Sequence, residues 1–107
     1  MSRPKKPRFI SGYPIITAFV PQGMPQTGEA VLSVEGLEAI RLSDFEQLDQ
    51  DTAAQIMEVS RQTYGRILGE ARKIVSEALV TAKALRIEGG TYEMRETRRR
   101  HRKRAHQ

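Results

Sequence analysis

The sequence predicts a mainly α fold, with three helices of which the last two form a helix-turn-helix, set between an extended basic N-terminal arm and a disordered basic C-terminal tail. Three observations predict it. Apolar residues fall at helical spacing from Val34 onward, serine and aspartate stand where helix caps are needed, and positive charge gathers at the two chain ends. A chain of 107 residues supports one modest core and not two. The expected organisation is an extended basic arm and turn-rich segment over 1–31, a helix-turn-helix domain over 32–88, and a basic tail over 89–107.

The net charge of +5 is unevenly divided. Residues 1–8 hold Arg3, Lys5, Lys6 and Arg8, for +4; residues 95–107 hold seven Lys/Arg against Glu96, for +6; the stretch 9–94 is left with −5. A mildly acidic body with a basic arm at each end is the pattern of a protein that meets polyanions. Cysteine is absent, which excludes disulfides, thiolate chemistry and Cys-based zinc sites. No apolar run approaches a membrane span, and MSRPKKPRF lacks the apolar segment of a signal peptide. The expectation is a soluble cytoplasmic protein with no membrane partner.

RPKKPR, punctuated by proline, cannot be helical and should be extended. Between Ile10 and Gln26, Gly12, Pro14, Pro21, Gly23 and Pro25 interleave with Ile15, Ile16, Phe19 and Val20, which suggests one or two short extended pieces joined by turns. After Ser33 as N-cap, Val34, Leu37, Ile40 or Arg41, Phe45 and Leu48 mark a first helix over roughly 34–47. Asp49 or Asp51 caps a short second helix, DTAAQIME, and Glu58-Val59-Ser60 interrupts. Ser60 caps a third helix running to about Ala84, followed by a short extended LRIE and Gly89-Gly90. RETRRRHRKRAHQ has nearly one sign of charge and no apolar period, so it should be disordered when free.

On a wheel of about 100° per residue with Gln62 at zero, Tyr64, Ile67, Leu68, Ala71, Val75, Ala78 and Leu79 form one apolar face. Gln62, Arg66, Gly69 and Lys73 form the opposite one, flanked by Arg61, Gly65 and Arg72. Arginine can bond a guanine edge bidentately, glutamine an adenine edge, and lysine can neutralise phosphate. Glycines on such a face weaken the helix by roughly 0.5–1 kcal/mol each but let a backbone approach closely. With a short capped helix before it and a three-residue turn between, this is the composition of a major-groove recognition helix.

The run LEAIRLSDFEQLDQDTAAQIMEVSRQTYGRILGEARKIVSEAL resembles the DNA-reading region 4 of sigma factors. Together with RPKKPR at the start and KALRIEGGTYE after the helices, the chain is similar to a family of small prokaryotic proteins predicted to bind DNA, catalogued as uncharacterised in the UPF/DUF class. The resemblance spans roughly residues 3–93. It implies a sigma-region-4-like helix-turn-helix with Arg61, Gln62, Thr63 and Arg66 opening the recognition helix. At Glu58 such turns usually have glycine, so glutamate there requires a left-handed backbone or an altered turn.

The expected function is therefore sequence-specific binding of double-stranded DNA by a transcriptional regulator associated with the nucleoid. Base contact falls to Arg61, Gln62, Thr63 and Arg66, and phosphate or minor-groove contact to Arg3, Lys5, Lys6, Arg8, Ser60, Arg72 and Lys73. Tyr64 is expected in the core. A module this small calls for a homodimer or for RNA polymerase as partner, and the apolar residues Val75, Leu79, Val80, Leu85 and Ile87 are candidates for the dimer contact. An RNA-binding or ribosome-associated protein would use the same arms, and a polymerase-touching adaptor the same fold. The carboxylates of the first two helices read as solvated or capping groups, and His101 and His106 lack companions for a metal shell. Without a phosphate loop, a nucleophile–base pair or a metal motif, no enzyme, cofactor or metal is expected.

Overall fold

The computed structural model describes residues 7–12 and 17–94. Three helices and a small amount of sheet share one continuous interior. The helices are α1 (Val34–Ile40), α2 (Gln50–Met57) and α3 (Arg61–Thr81). Each starts at a residue whose side chain accepts a hydrogen bond from the backbone three positions on: Ser33 from Gly36 N–H, Asp49 from Thr52 N–H and Ser60 from Thr63 N–H. The caps inferred from sequence are thus in place, with Asp49 rather than Asp51 serving α2.

α1 is shorter than the expected 34–47. It passes into a π-helical turn, Arg41–Phe45, closed by Glu46 N–H donating to the Arg41 carbonyl at 2.8 Å. One extra residue in the turn rotates everything after it. Leu42 consequently points inward, while Phe45, expected on the apolar face, is 77% exposed. Tyr64 sits against this distortion: its hydroxyl donates to the Ala39 carbonyl at 2.9 Å and lies 2.5 Å from Ser43 Oγ.

α2 and α3 end alike. Glu58 takes φ 57, ψ 45, and Val59 N–H reaches back to the Ala54 carbonyl; Ala82 takes φ 59, ψ 38, and Lys83 N–H reaches the Ala78 carbonyl. These six-to-one bonds around a left-handed residue are Schellman closures made without glycine. Of the two alternatives the sequence left for Glu58, a left-handed backbone or an altered turn, the left-handed backbone is the one observed.

Among the described residues five strands accompany the helices, where the sequence suggested only short extended pieces. They are β1 (Arg8–Ile10), β2 (Ala18–Phe19), β3 (Glu29–Leu32), β4 (Ala84–Ile87) and β5 (Tyr92–Met94). β4 is central, antiparallel to β2 and parallel to β3, so all three helices lie within the β3-to-β4 crossover. β1 and β5 form a separate parallel pair, Arg8 opposite Tyr92 and Ile10 opposite Met94. Residues 92–94 were expected in the disordered tail and are instead a strand; residues 95–107 lie outside the described residues.

Two clusters make the core. Leu42, Ala53, Ala54, Met57, Tyr64 and Leu68 join the three helices, and Ile10, Leu32, Val34, Ala71 and Ile87 join α3 to both sheets. Ile40 packs against both, which makes them one interior. Ile10 is almost completely buried, and burial of an isoleucine contributes roughly 1.5–3 kcal/mol. The strand carrying it is therefore part of the folded unit and not of a free arm. Two carboxylates read as surface groups are buried too. Glu38 accepts from Ser11 N–H and Oγ and from Arg41, and Glu35 accepts from Thr91 N–H through both oxygens. They fasten the strand pair at the two chain ends to α1. The glycine at 90 is needed there, since a Cβ on it would stand 2.0 Å from Glu35 Oε1.

Candidate nucleic-acid interface

The first two turns of α3 stand at the surface beside the start of α2, separated from its end only by residues 58–60. Ala53, Ala54 and Met57 are fully enclosed against Tyr64 and Leu68, so the small alanines let the helices pack closely and fix their mutual orientation. The opposite side of α3 is exposed at Arg61, Gln62, Arg66, Gly69, Arg72 and Lys73. The face expected for base reading is thus presented as one stripe.

Its side chains differ in how committed they are. Gln62 is exposed, and no side-chain hydrogen bond engages it among the described residues. Arg61 Nε lies 3.5 Å from Asp51 Oδ1, a pair so exposed that it is worth at most ~1 kcal/mol. Thr63 is half-buried, and its hydroxyl accepts from Ser60 Oγ at 3.0 Å and from Arg66 Nη2 at 3.3 Å. Ser60, expected on phosphate, is occupied in capping the helix. Arg72 is held by Asp44 through two bonds of 3.2 and 2.6 Å. Hydrogen bonding to the guanidinium holds the Asp44 carboxyl below its ordinary range, and the same bond raises Arg72. Arg72 would have to leave Asp44 before meeting a phosphate.

The remaining expectations separate. Arg3, Lys5 and Lys6 lie outside the described residues. Arg8 is not part of an exposed arm: β1 buries it, and it lines a groove of about 700 Å³ together with Thr63, Arg66 and Glu70 of α3 and Glu35, Gly90 and Thr91. It counts as a structural residue here, because the strand that carries it is anchored by Ile10 and paired with β5. The two glycines also divide. A Cβ on Gly69 would find nothing within 4 Å, whereas one on Gly65 would meet Gln50 Oε1 at 3.7 Å.

Gln50 is a residue the sequence reading passed over. As the first residue of α2 it brings a polar side chain over Gly65, onto the same surface as Arg61. Its place directly after the Asp49 cap was the available signal. Acidic groups share this surface: Asp49, Asp51 and Glu58 flank the α2 end, and Glu70 follows Arg66 by one turn. Asp49 is held below its ordinary carboxylate range by the Thr52 backbone N–H. Among the described residues no group of three His, Cys, Asp or Glu could hold a metal, and no helix is long and apolar enough to cross a membrane.

Comparison with known proteins adds kinship. The family described as "Protein of unknown function DUF134" matches residues 1–95. A UPF0251 protein of Thermoanaerobacter pseudethanolicus is 49% identical over 94 residues, covering 86% of this chain and 80% of that protein. One of Caldanaerobacter subterraneus subsp. tengcongensis is 47% identical over 96 residues, covering 88% and 81%. Another, of Clostridium tetani, is 50% identical over 94 residues, covering 86% and 64%. No solved structure matches.

Proposed function

The chain belongs to the DUF134 family, and we propose that it is a sequence-specific DNA-binding protein, a transcriptional regulator of the nucleoid, reading the major groove with the first two turns of α3. The α2–turn–α3 unit acts in this reading as a helix-turn-helix. Arg61, Gln62 and Arg66 reach base edges, Thr63 orients Arg66 by accepting its hydrogen bond, and Gln50 and Lys73 meet phosphates on either side.

The observation that carries the reading is the composition of the exposed stripe. A glycine at 69, with open space where a side chain would be, interrupts a row of arginine, glutamine and lysine. Among the described residues nothing asks for that glycine, and a helix gains about 1 kcal/mol from alanine in its place. A duplex lying against the backbone there supplies the reason.

Selection of bound sequences from a random double-stranded pool at near-physiological salt, beside Arg61→Ala/Arg66→Ala, tests it. The expected result is an enriched motif that the double variant loses. Residual binding without a motif, vanishing as salt rises, would refute specific readout and turn attention to RNA or RNA polymerase.

A further inference from the structure

Beyond the interface, apolar side chains stand exposed at the far end of the molecule. On α3, Leu79 is 79% and Val80 83% exposed, while Ala78 beside them is buried. Phe19 of β2 is 58% exposed, and Val20 and Met24 follow it in the chain at similar exposure. The topology brings the two groups to the same end of the fold. β2 pairs with β4 so that Phe19 lies opposite Leu85, at the start of the strand that follows α3. The chain then returns to the end of α3, where Thr27 N–H donates to the Ala82 carbonyl and Thr27 Oγ1 to that of Thr81.

Phe19 shows why the surface is open. Paired residues of an antiparallel ladder share a face, so Phe19 lies on the side of Leu85, which packs into the core under α3. It is nevertheless mostly exposed, so the helix layer stops short of β2. The expected dimer set changes accordingly: Ile87 is buried in the core and Val75 and Leu85 are half-buried against it, leaving Leu79 and Val80 joined by Phe19, Val20 and Met24.

We infer that this surface is covered by the same surface of a second copy of the chain, about a two-fold axis. Its five side chains expose on the order of 500 Å², at the upper end of what a monomer leaves bare and most of the roughly 800 Å² each partner contributes to a standard interface. A two-fold contact also answers a spacing requirement, in a step that rests on the DNA-reading proposal. From the middle of the reading turns to Leu79–Val80 is about 25 Å at 1.5 Å per residue. Two α3 helices meeting at that end and crossing near a right angle separate their reading turns by about 34 Å, one turn of B-form DNA. The occupant that satisfies both the area and the spacing is a second copy.

Sedimentation velocity of the full chain without DNA, from 5 to 100 µM, tests the inference independently of any DNA activity, on wild type, Leu79→Gln/Val80→Gln, Phe19→Ser and Phe45→Gln. The expected result is a wild-type dimer, at least tenfold weaker in the first two variants and unchanged in Phe45→Gln, whose phenylalanine is exposed elsewhere. Circular dichroism confirms that each variant is folded. A wild type monomeric throughout, or a dimer indifferent to Leu79, Val80 and Phe19, overturns it. A dimer that loses these contacts but selects no DNA motif upholds the interface and refutes the DNA reading alone.

Discussion

Gly69→Ala separates what the fold wants from what the proposed interface wants. Inside the protein the substitution is unopposed, because the new methyl finds no heavy atom within 4 Å. The helix gains roughly 0.8–1.0 kcal/mol from the alanine, part of it by restricting the unfolded chain. For a domain of this size that raises Tm by about 4–8 °C. Against DNA the same methyl projects from the middle of the reading stripe, one turn after Arg66. If the backbone there touches the duplex, the helix must withdraw, and a tenfold loss of affinity corresponds to about 1.4 kcal/mol. Thermal melting followed by circular dichroism gives the first quantity, and fluorescence anisotropy on the selected sequence at fixed salt the second. Higher stability with weaker binding is the predicted pair. Higher stability with undiminished affinity would refute a close approach at residue 69, and with it the observation on which the proposed function rests.

Other perturbations address neighbouring parts of the structure. Asp44→Asn releases Arg72, so non-specific DNA affinity should rise and the salt dependence steepen, as read by anisotropy over a salt series. Because the folded carboxyl of Asp44 is depressed, its contribution is full above its ordinary pKa and is lost as pH falls through the lowered value. The variant should therefore lose up to ~1 kcal/mol near neutrality and less below about pH 4, as measured by urea unfolding at both pH values. Tyr64→Phe removes the hydroxyl between Ala39 and Ser43 and should cost about 1–3 kcal/mol in the same unfolding assay, without altering the selected motif. Ala82→Gly relieves a left-handed alanine and should stabilise by roughly 1 kcal/mol, read as a higher Tm.

The helices and their caps were legible because the information is local. Ser33, Asp49 and Ser60 precede apolar periods, and a cap bond spans only three residues. The left-handed Glu58 was legible for the same reason. What sequence could not show came from contacts between distant segments. Ala82 favours helix, yet α3 stops at Thr81 because β4 must begin in register with β3, with Ala84 N–H on the Gly28 carbonyl. The π-helical turn that exposes Phe45 is stabilised by a tyrosine from α3. The pairing of Arg8 with Tyr92 is held by long-range contacts, with Glu38 and Glu35, one turn apart on α1, bonded to the segments beside both strands. At the candidate interface the exposed stripe was readable from the helical period, but the pairing of Arg72 with Asp44 and the placement of Gln50 over Gly65 depend on tertiary geometry.

In the sequence the basic ends flank the strand pair, in which β1 and β5 run parallel with Arg8 opposite Tyr92 and Ile10 opposite Met94. The Arg8 end opens on the groove lined by Thr63 and Arg66. The Ile10 end is followed by Ser11, bonded to Glu38 and Arg41 beside the start of the π-helical turn. In the DNA-reading proposal, Arg3, Lys5 and Lys6, which precede Arg8 in the sequence, are the candidates for minor-groove contact beside the helix. In the same proposal the seven Lys/Arg of residues 95–107 supply charge for phosphate without sequence preference. Deletion of residues 1–6 should alter base preference at positions adjoining the motif in a repeat of the pool selection. Deletion of residues 95–107 should leave the motif intact while flattening the salt slope. An arm deletion that lowers affinity equally for every sequence would show that its cations serve only as charge.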